Sequence, residues 1–418
     1  MALSPTRQVP YYGWTIVALA FMMQALASGT TNSLYGVFAL PFSQSFDASR
    51  AQVMLATASV AMIASGILSP LAGLWLQRYR LRPLILVGGA ALALGFVAVS
   101  QATALWQISV IYFFCWSLGT TLFGPLAANT SVSYWFVARR GKALGFASIG
   151  MSMGTIILPP LVSWIIIQHS WQSACLFLGA LVACSLPLIA LFYRESPAAM
   201  GLALDGQGES DDLEESEPMT MKEVLKTGNF WIIAACISIC FACFNGMTVN
   251  LVPMAVDQGV SQQQAAFLLS ISAAFGIIGK LLSGISADRL GPRTALTLPL
   301  ISIAVACLVL LGHPPFTRMV VGAVFLGLAA GGAIPAWGAL IGSFFGRQSF
   351  SLVMGLMNPM LVPLIVLSAP FISWTQEHFG SYNLGLFVII GFAALAMMLA
   401  PLLRHPHDML PVAAQHKY

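Results

Sequence analysis

FLLSISAAFGIIGKLLSGISADRLGPR, residues 267–293, carries the features that decide the fold. Its part up to Ala287 has the length and apolarity of a membrane-spanning helix, which needs about 20 such residues. One charge, Lys280, interrupts it. A cation at that depth is costly unless it faces a water-filled cavity or a partner, and no neighbouring apolar segment offers an Asp or Glu. Two arrangements stay open. Backbone carbonyls and hydroxyls could satisfy the ammonium, or its partner arrives as cargo, which points to transport of a small organic anion. The segment then ends on a charged turn containing Asp288, Arg289 and Arg293.

The rest of the chain agrees with this reading. Of 418 residues, 58% are hydrophobic and 8% charged, against about 25% charged in a soluble domain. Twelve apolar segments, spans 1 to 12, are expected near 13–40, 51–77, 83–102, 105–136, 142–168, 172–193, 229–256, 263–287, 293–312, 317–345, 350–376 and 382–403. The fold class is therefore all-α and integral to a membrane. With the N-terminus inside, 15 of the 18 Lys and Arg fall on the cytoplasmic side and two, Arg50 and Arg318, outside. That asymmetry predicts an even span count with both termini cytoplasmic. The expected place is the plasma membrane, of bacterial inner-membrane type. The net charge of +4 is then topological and implies no nucleic acid. The first ten residues are too short for a cleavable signal. All seven cysteines fall in spans, and the cluster Cys236, Cys240 and Cys243 lacks nearby His, so it reads as packing rather than a metal site. The sequon at Asn129 lies within span 4 and is set aside.

Residues 194–228 hold nine of the fourteen acidic residues, and GQGESDDLEESEP (206–218) reads as a solvated linker. The expected organisation is a six-span bundle over 1–193, the acidic linker, a second bundle over 229–404 and a cytoplasmic tail over 405–418. The two blocks echo each other. GLWLQRYRLRP (73–83) after span 2 matches GISADRLGPR (284–293) after span 8, and FVARRGKALG (136–145) has a weaker counterpart in FFGRQSFSLVMG (344–355). Duplicated halves with binding near the midplane are the common plan of secondary transporters.

On these residues the chain resembles the major facilitator superfamily. The carriers are the Gly-x-x-x-Asp-Arg-x-Gly pattern at Gly284, Asp288, Arg289 and Gly291, the Gly124-Pro125 pair, and the Gly/Pro-rich span 5. The first copy of the pattern keeps Gly73 and Arg78 but has Gln77 in place of Asp. Within the superfamily the chain resembles the monocarboxylate transporter family and the oxalate/formate antiporters. YYGWTIVALAF (11–21), YWFVARRGKALGFASIGMSMG (134–154) and GKLLSGISADR (279–289) carry that likeness. It implies two pseudo-symmetric six-helix bundles and alternating access. It also implies a substrate-binding role for Lys280, where those families commonly place an arginine.

The residues give further expectations. Lys280 stands eight residues before Asp288, which is about 12 Å along a helix and near the middle of a ~30 Å hydrocarbon core. A lysine supplies a point charge, whereas arginine supplies a bidentate fork. In span 1, Gln24, Ser28, Thr31, Asn32 and Tyr35 share one helical face; they either line a cavity or bond to another helix. The resemblance puts spans 1, 4, 7 and 10 around the path, which favours the cavity. Asn245 and Trp116 are further candidates, with Asn129, Asn250 and Asn358 behind them. Asp288, with Arg289 and Arg293, is expected to latch the cytoplasmic end by meeting the N-terminal dipole of span 11. Arg78 is the first-half remnant of that latch.

Coupling is open between proton symport and anion exchange. All six histidines lie at span ends, in loops or in the tail, and Asp257 and Glu377 are at outer span ends. The animal monocarboxylate carriers have an acidic residue where Gly276 stands and a span-1 lysine where Asn32 aligns. Lys280 is itself titratable, so an anion arriving with a proton would leave a neutral pair. The expected partners are a small organic anion, a proton as second cargo, and bilayer lipid. No cofactor, metal or catalytic residue is expected, and the chain is expected to work as a monomer. A broad-specificity exporter and a transporter-like membrane sensor are the alternatives.

Overall fold

The structure, a computed structural model, describes residues 11–30, 34–202 and 218–403. Among the described residues it contains twelve helices long and apolar enough to cross a membrane. They are span 1 (Gly13–Ser45), span 2 (Gln52–Arg78), span 3 (Leu81–Ser100), span 4 (Leu105–Trp135), span 5 (Arg140–Gln168) and span 6 (Trp171–Phe192). Then follow span 7 (Gly228–Asp257), span 8 (Gln263–Leu290), span 9 (Pro292–Leu310), span 10 (Phe316–Phe345), span 11 (Phe350–Phe379) and span 12 (Asn383–Leu402). All are helical because hydrocarbon offers no partner to a free backbone N–H or C=O, and a helix satisfies them within the segment.

Two spans are irregular among the described residues, and those of span 1 fall in two stretches. Span 1 comprises helices Gly13–Thr30 and Leu34–Ser45; the candidates Thr31 and Asn32 lie between these, outside the described residues. Spans 2 and 4 each carry a π turn, Leu55–Ser59 and Tyr112–Trp116. Span 4 also breaks at Gly124, which is extended, and restarts with Pro125 in its first turn. Proline has no N–H to give and its ring displaces the preceding turn, so the Gly-Pro pair dictates that break.

Helices in lipid associate by close packing at small residues rather than by hydrophobic burial. Span 5 lies so close to span 1 that a Cβ on Gly150 or Gly154 would run into the carbonyl oxygens of Phe21 and Ala25. Spans 8 and 10 meet at Gly331, where a Cβ would strike the Gly276 carbonyl. The same device joins the first six spans to the last six. Gly141 and Gly284 press span 5 onto span 8, and Gly73 and Gly355 press span 2 onto span 11. Gly73 and Gly284 open the two copies of the repeated motif, and each is buried against the opposite half.

Arg78, Arg82, Arg139, Lys142, Arg289, Arg293 and Arg347 all lie where spans 2 and 3, 4 and 5, 8 and 9, or 10 and 11 join. Successive spans run antiparallel, so these joins share one end of the bundle, the basic end. The stretch expected to be a solvated linker is structured at both described edges. The Glu195 carboxylate accepts from the Leu81 and Arg82 N–H groups at the start of span 3 (2.9 and 3.1 Å). A short helix, Met221–Lys226, precedes span 7. Most of the acidic run lies outside the described residues.

Gly154→Leu is expected to cost about 1–3 kcal/mol, the usual penalty of overpacking a fitted contact. The measurement is the Tm of the detergent-solubilised protein, which should fall, whereas Gly391→Leu, at a position with open space beside it, should leave it unchanged.

Candidate functional site

Span 5 presents Gly141, Gly145, Ser148 and Ser152 along one face, at intervals that follow the helical repeat. Span 8 answers with Lys280, Gly284 and Asp288. At the basic end the Asp288 carboxylate accepts from the Gly141 and Lys142 N–H groups (2.6 and 2.9 Å). These are free donors of the first turn of span 5, where the helix dipole favours an anion. The expectation that Asp288 meets span 11 is thereby corrected. The twofold relation between the halves sends the second-half motif to the start of span 5, and the start of span 11 faces the first-half motif at Gln77.

Two turns deeper, Lys280 is buried, and its Nζ donates to the Ser148 carbonyl oxygen (2.7 Å) and to Ser152 Oγ (2.6 Å). Of the two arrangements open to this lysine, the structure holds the one with neutral acceptors. Both acceptors belong to the other half of the chain. Ser148 and Ser152 were missed in the sequence because a carbonyl carries no signature and a serine in a span is common. The Gly141, Gly145, Ser148, Ser152 stripe was the available signal.

Between the halves lies a cavity of about 720 Å³. Ser28, Tyr35, Trp116 and Asn245 all line it, so four of the sequence candidates share one space. Met151, one residue before Ser152, is also in the wall, and Lys280 is not. Tyr112 stacks on Trp116 (4.3 Å between centroids) and Phe96 meets its edge (4.7 Å), which fixes the indole at the wall. Phe241, Trp337, Met62 and Met354 make much of the remainder apolar. Among the described residues the polar groups of the lining are hydroxyls, amides and indole N–H groups, with no Asp, Glu, His, Lys or Arg.

The amides fall into two groups. Some tie helices together. Asn245 Nδ2 donates to the Ile365 carbonyl (3.1 Å) and to Ser368 Oγ (3.3 Å), and Asn250 Nδ2 to the carbonyls of Gly246 and Ala369. Asn358 Nδ2 reaches Ser69 Oγ (2.9 Å) across the halves. Gln24 is wholly buried and donates to Asn129 Oδ1 (3.2 Å), so this member of the span-1 stripe bonds to span 4 instead of facing the cavity. The bond leaves Asn129 Nδ2 without a partner among the described residues, and Asn129 lines the cavity.

The other gate candidates separate. Arg78 and Arg289 are exposed. Arg293 donates to the Leu403 carbonyl and lies over the Phe344 ring (6.0 Å), contacts within the second half. Arg140, absent from the sequence expectations, is buried at the seam. Its Nε donates to the Phe136 carbonyl (3.1 Å), and a Cβ on Gly342 of span 10 would collide with its guanidinium. Ser351 Oγ donates to the Gly73 carbonyl (3.0 Å) on the span 2–span 11 side. All of these ties between the halves lie between mid-depth and the basic end.

The sequence profile of the Major Facilitator Superfamily matches residues 17–362 and 239–415. Monocarboxylate transporter 13 of Rattus norvegicus is 27% identical over 390 residues, covering 92% of this chain and 87% of its own length. Monocarboxylate transporter 12 of Rattus norvegicus is 25% identical over 414 residues, covering 92% and 83%. A solved proton:xylose symporter, XylE, superposes with a TM-score of 0.74 at 14% identity, over 94% of this chain and 96% of its own.

Asp288→Asn keeps the side chain's shape and removes its charge. Hydrogen bonds to a charged group contribute about 1.5–3 kcal/mol, so the seam should loosen. The expected outcome is several-fold faster reaction of a cysteine at Ser148, a fully buried position, with a thiol reagent added at the basic end. An unchanged rate would mean that the carboxylate does not hold the seam.

Proposed function

The chain belongs to the major facilitator superfamily, and from that premise we propose that it is a secondary active transporter of organic monocarboxylates, working by alternating access with Lys280 as the anion's anchor. One observation carries this. Among the described residues Lys280 is the only charged side chain well inside a span, and only neutral acceptors hold it. A structural lysine would gain from a buried carboxylate; neutral acceptors leave the ammonium able to exchange them for a stronger one, since charge-assisted pairs are roughly twice as strong as neutral ones. The acceptors flank Met151, which lines the cavity, so the lysine is one side chain away from the space the anion enters. The relatives named monocarboxylate transporters support the same class.

The basic end is the cytoplasmic one, by the distribution of Lys and Arg. Its closure then means that this is not the inward-facing state; the first and last six spans are the two rocking bodies. Asp288 is the latch. Ser28, Tyr35, Trp116, Asn245 and the unpartnered amide of Asn129 orient the rest of the substrate. Thr31 and Asn32 belong to the same proposed face of span 1. The apolar wall suits anions larger than lactate as well as lactate and pyruvate. An anion exchanger of the oxalate/formate type is the second reading. It is favoured by a cavity lining without Asp, Glu or His among the described residues, which leaves Lys280 as the group to carry any coupled proton.

The test is uptake of labelled lactate into proteoliposomes, with and without an inward proton gradient, competed by mono- and dicarboxylates and by internal anion for exchange. Removing one partner of a buried charge pair costs ~2–5 kcal/mol. Lys280→Gln is therefore expected to lower uptake by about 30-fold or more, and Lys280→Arg to retain part of it. Equal uptake in Lys280→Gln would make the lysine structural. No uptake by the wild type across the panel would remove the monocarboxylate assignment.

A further inference from the structure

The two motif copies close onto the opposite half by different means. In the second copy the Asp288 carboxylate bonds directly to the start of span 5. In the first copy Gln77 stands at the corresponding place. Its amide is neutral: Oε1 can accept a hydrogen bond but brings no charge to a helix N-terminal dipole. Instead Gln77 Nε2 donates to the carbonyl oxygen of Met219 (3.1 Å), a residue of the linker. The Met219 N–H in turn donates to Ser349 Oγ (2.9 Å). Ser349 immediately precedes span 11, is buried, and makes no side-chain cap to that helix. One linker residue thus uses its two backbone groups to join span 2 to the start of span 11.

The segment around Met219 is built to hold that position. The Met219 side chain packs against the core. Thr220 opens the helix Met221–Lys226 through a reciprocal pair with Glu223: the Thr220 N–H donates to Glu223 Oε2 (2.7 Å) and the Glu223 N–H to Thr220 Oγ1 (3.4 Å). The bond from the Thr220 backbone holds the Glu223 carboxyl below its ordinary range, so the pair is formed at neutral pH. Val224 is fully buried, and Trp231 Nε1 donates to the Leu225 carbonyl (2.9 Å).

We propose that linker residues 218–226 are a working part of the gate, a clasp that replaces the carboxylate missing from the first-half motif and holds the span 2–span 11 side of the basic end closed. Opening the basic end separates Gln77 from Ser349, and Met219 cannot follow both, so one of its two bonds must break. The clasp therefore weights the equilibrium toward the closed basic end. It rests on the two-state reading of that end and is independent of which substrate is carried.

The two bonds act in series, which gives a distinctive signature. Spin labels at Tyr79→Cys and Leu290→Cys, both exposed positions at the basic end, would report its opening by double electron–electron resonance. The full-length chain is used with its native cysteines replaced and no substrate added. Gln77→Ala and Ser349→Ala are each expected to raise the open-to-closed ratio about three- to tenfold, the range of one net hydrogen bond. The double variant should show no more than the larger single effect, because cutting either link already breaks the chain between the halves. Met219→Leu, which keeps both backbone bonds, should change nothing, and Met219→Pro, which lacks the N–H, should match Ser349→Ala. Multiplying effects in the double variant, or no effect from either single, would overturn the clasp. Neither result would bear on the anion assignment, which the uptake assay tests separately.

Discussion

A polar group carried into a bilayer on a helix must find its partner inside the protein, and at the seam of spans 5 and 8 that requirement fixes the relation of the two halves. Lys280 finds its acceptors on Ser148 and Ser152. They are within reach because the backbones approach closely at Gly141, Gly145 and Gly284, where any Cβ would meet opposing backbone. The same approach brings Asp288 onto the first turn of span 5. Glycine stripe, buried ammonium and capping carboxylate are thus three consequences of one contact. None would persist alone, since the glycines would leave a void without the facing helix and the charges would be stranded.

Much of this was legible in the sequence, and the parts that were not have physical causes. Apolar runs and the asymmetry of Lys and Arg mark twelve spans because the bilayer imposes both. The repeated Gly-x-x-x-Asp/Gln-Arg pattern marks the duplication because the basic end must be closed twice. What escaped was pairing. Asp288 was assigned to span 11 because a carboxylate seeks a helix N-terminus, and only the swap between halves tells which one. For Lys280, carbonyls and hydroxyls were open as a class of partner, but Ser148 and Ser152 escaped because every span offers such groups. The span-1 stripe was read as one face, yet Gln24 bonds to Asn129 while Ser28, one turn on, reaches the cavity. Met219 could not be found from sequence, because its backbone makes the contact.

On the proposed reading the gate is asymmetric. On the span 5–span 8 side a carboxylate meets a helix dipole, an interaction that ions screen when it is exposed. On the span 2–span 11 side every named bond is neutral: Gln77 and Ser349 through Met219, Ser351 to the Gly73 carbonyl, Asn358 to Ser69. The substitution of Gln for Asp at position 77 thus transfers closure on that side from charge to hydrogen-bond geometry. It also makes closure depend on a segment that the acidic run connects to span 6. The two sides can consequently be loosened separately, one by charge and the other by the linker.

On the transport reading, this arrangement also says what an anion must do to move the protein. A ligand shifts a conformational equilibrium only by its difference in affinity for the two states. In the closed seam Lys280 is held by two neutral acceptors of the opposite half, and opening removes both at once. For the empty carrier that step leaves an ammonium without partners until water arrives, which is unfavourable at bilayer depth. A bound carboxylate travels with the lysine, supplies a charge-assisted acceptor in place of the two lost ones, and so stabilises the states in which the seam is parted more than the state in which it is shut. A neutral analogue of the same size would fill the same cavity but supply no such difference, and would be bound without being carried. The selectivity of such a transporter would then reside less in the fit of the cavity than in whether its occupant can take over the partners of one lysine.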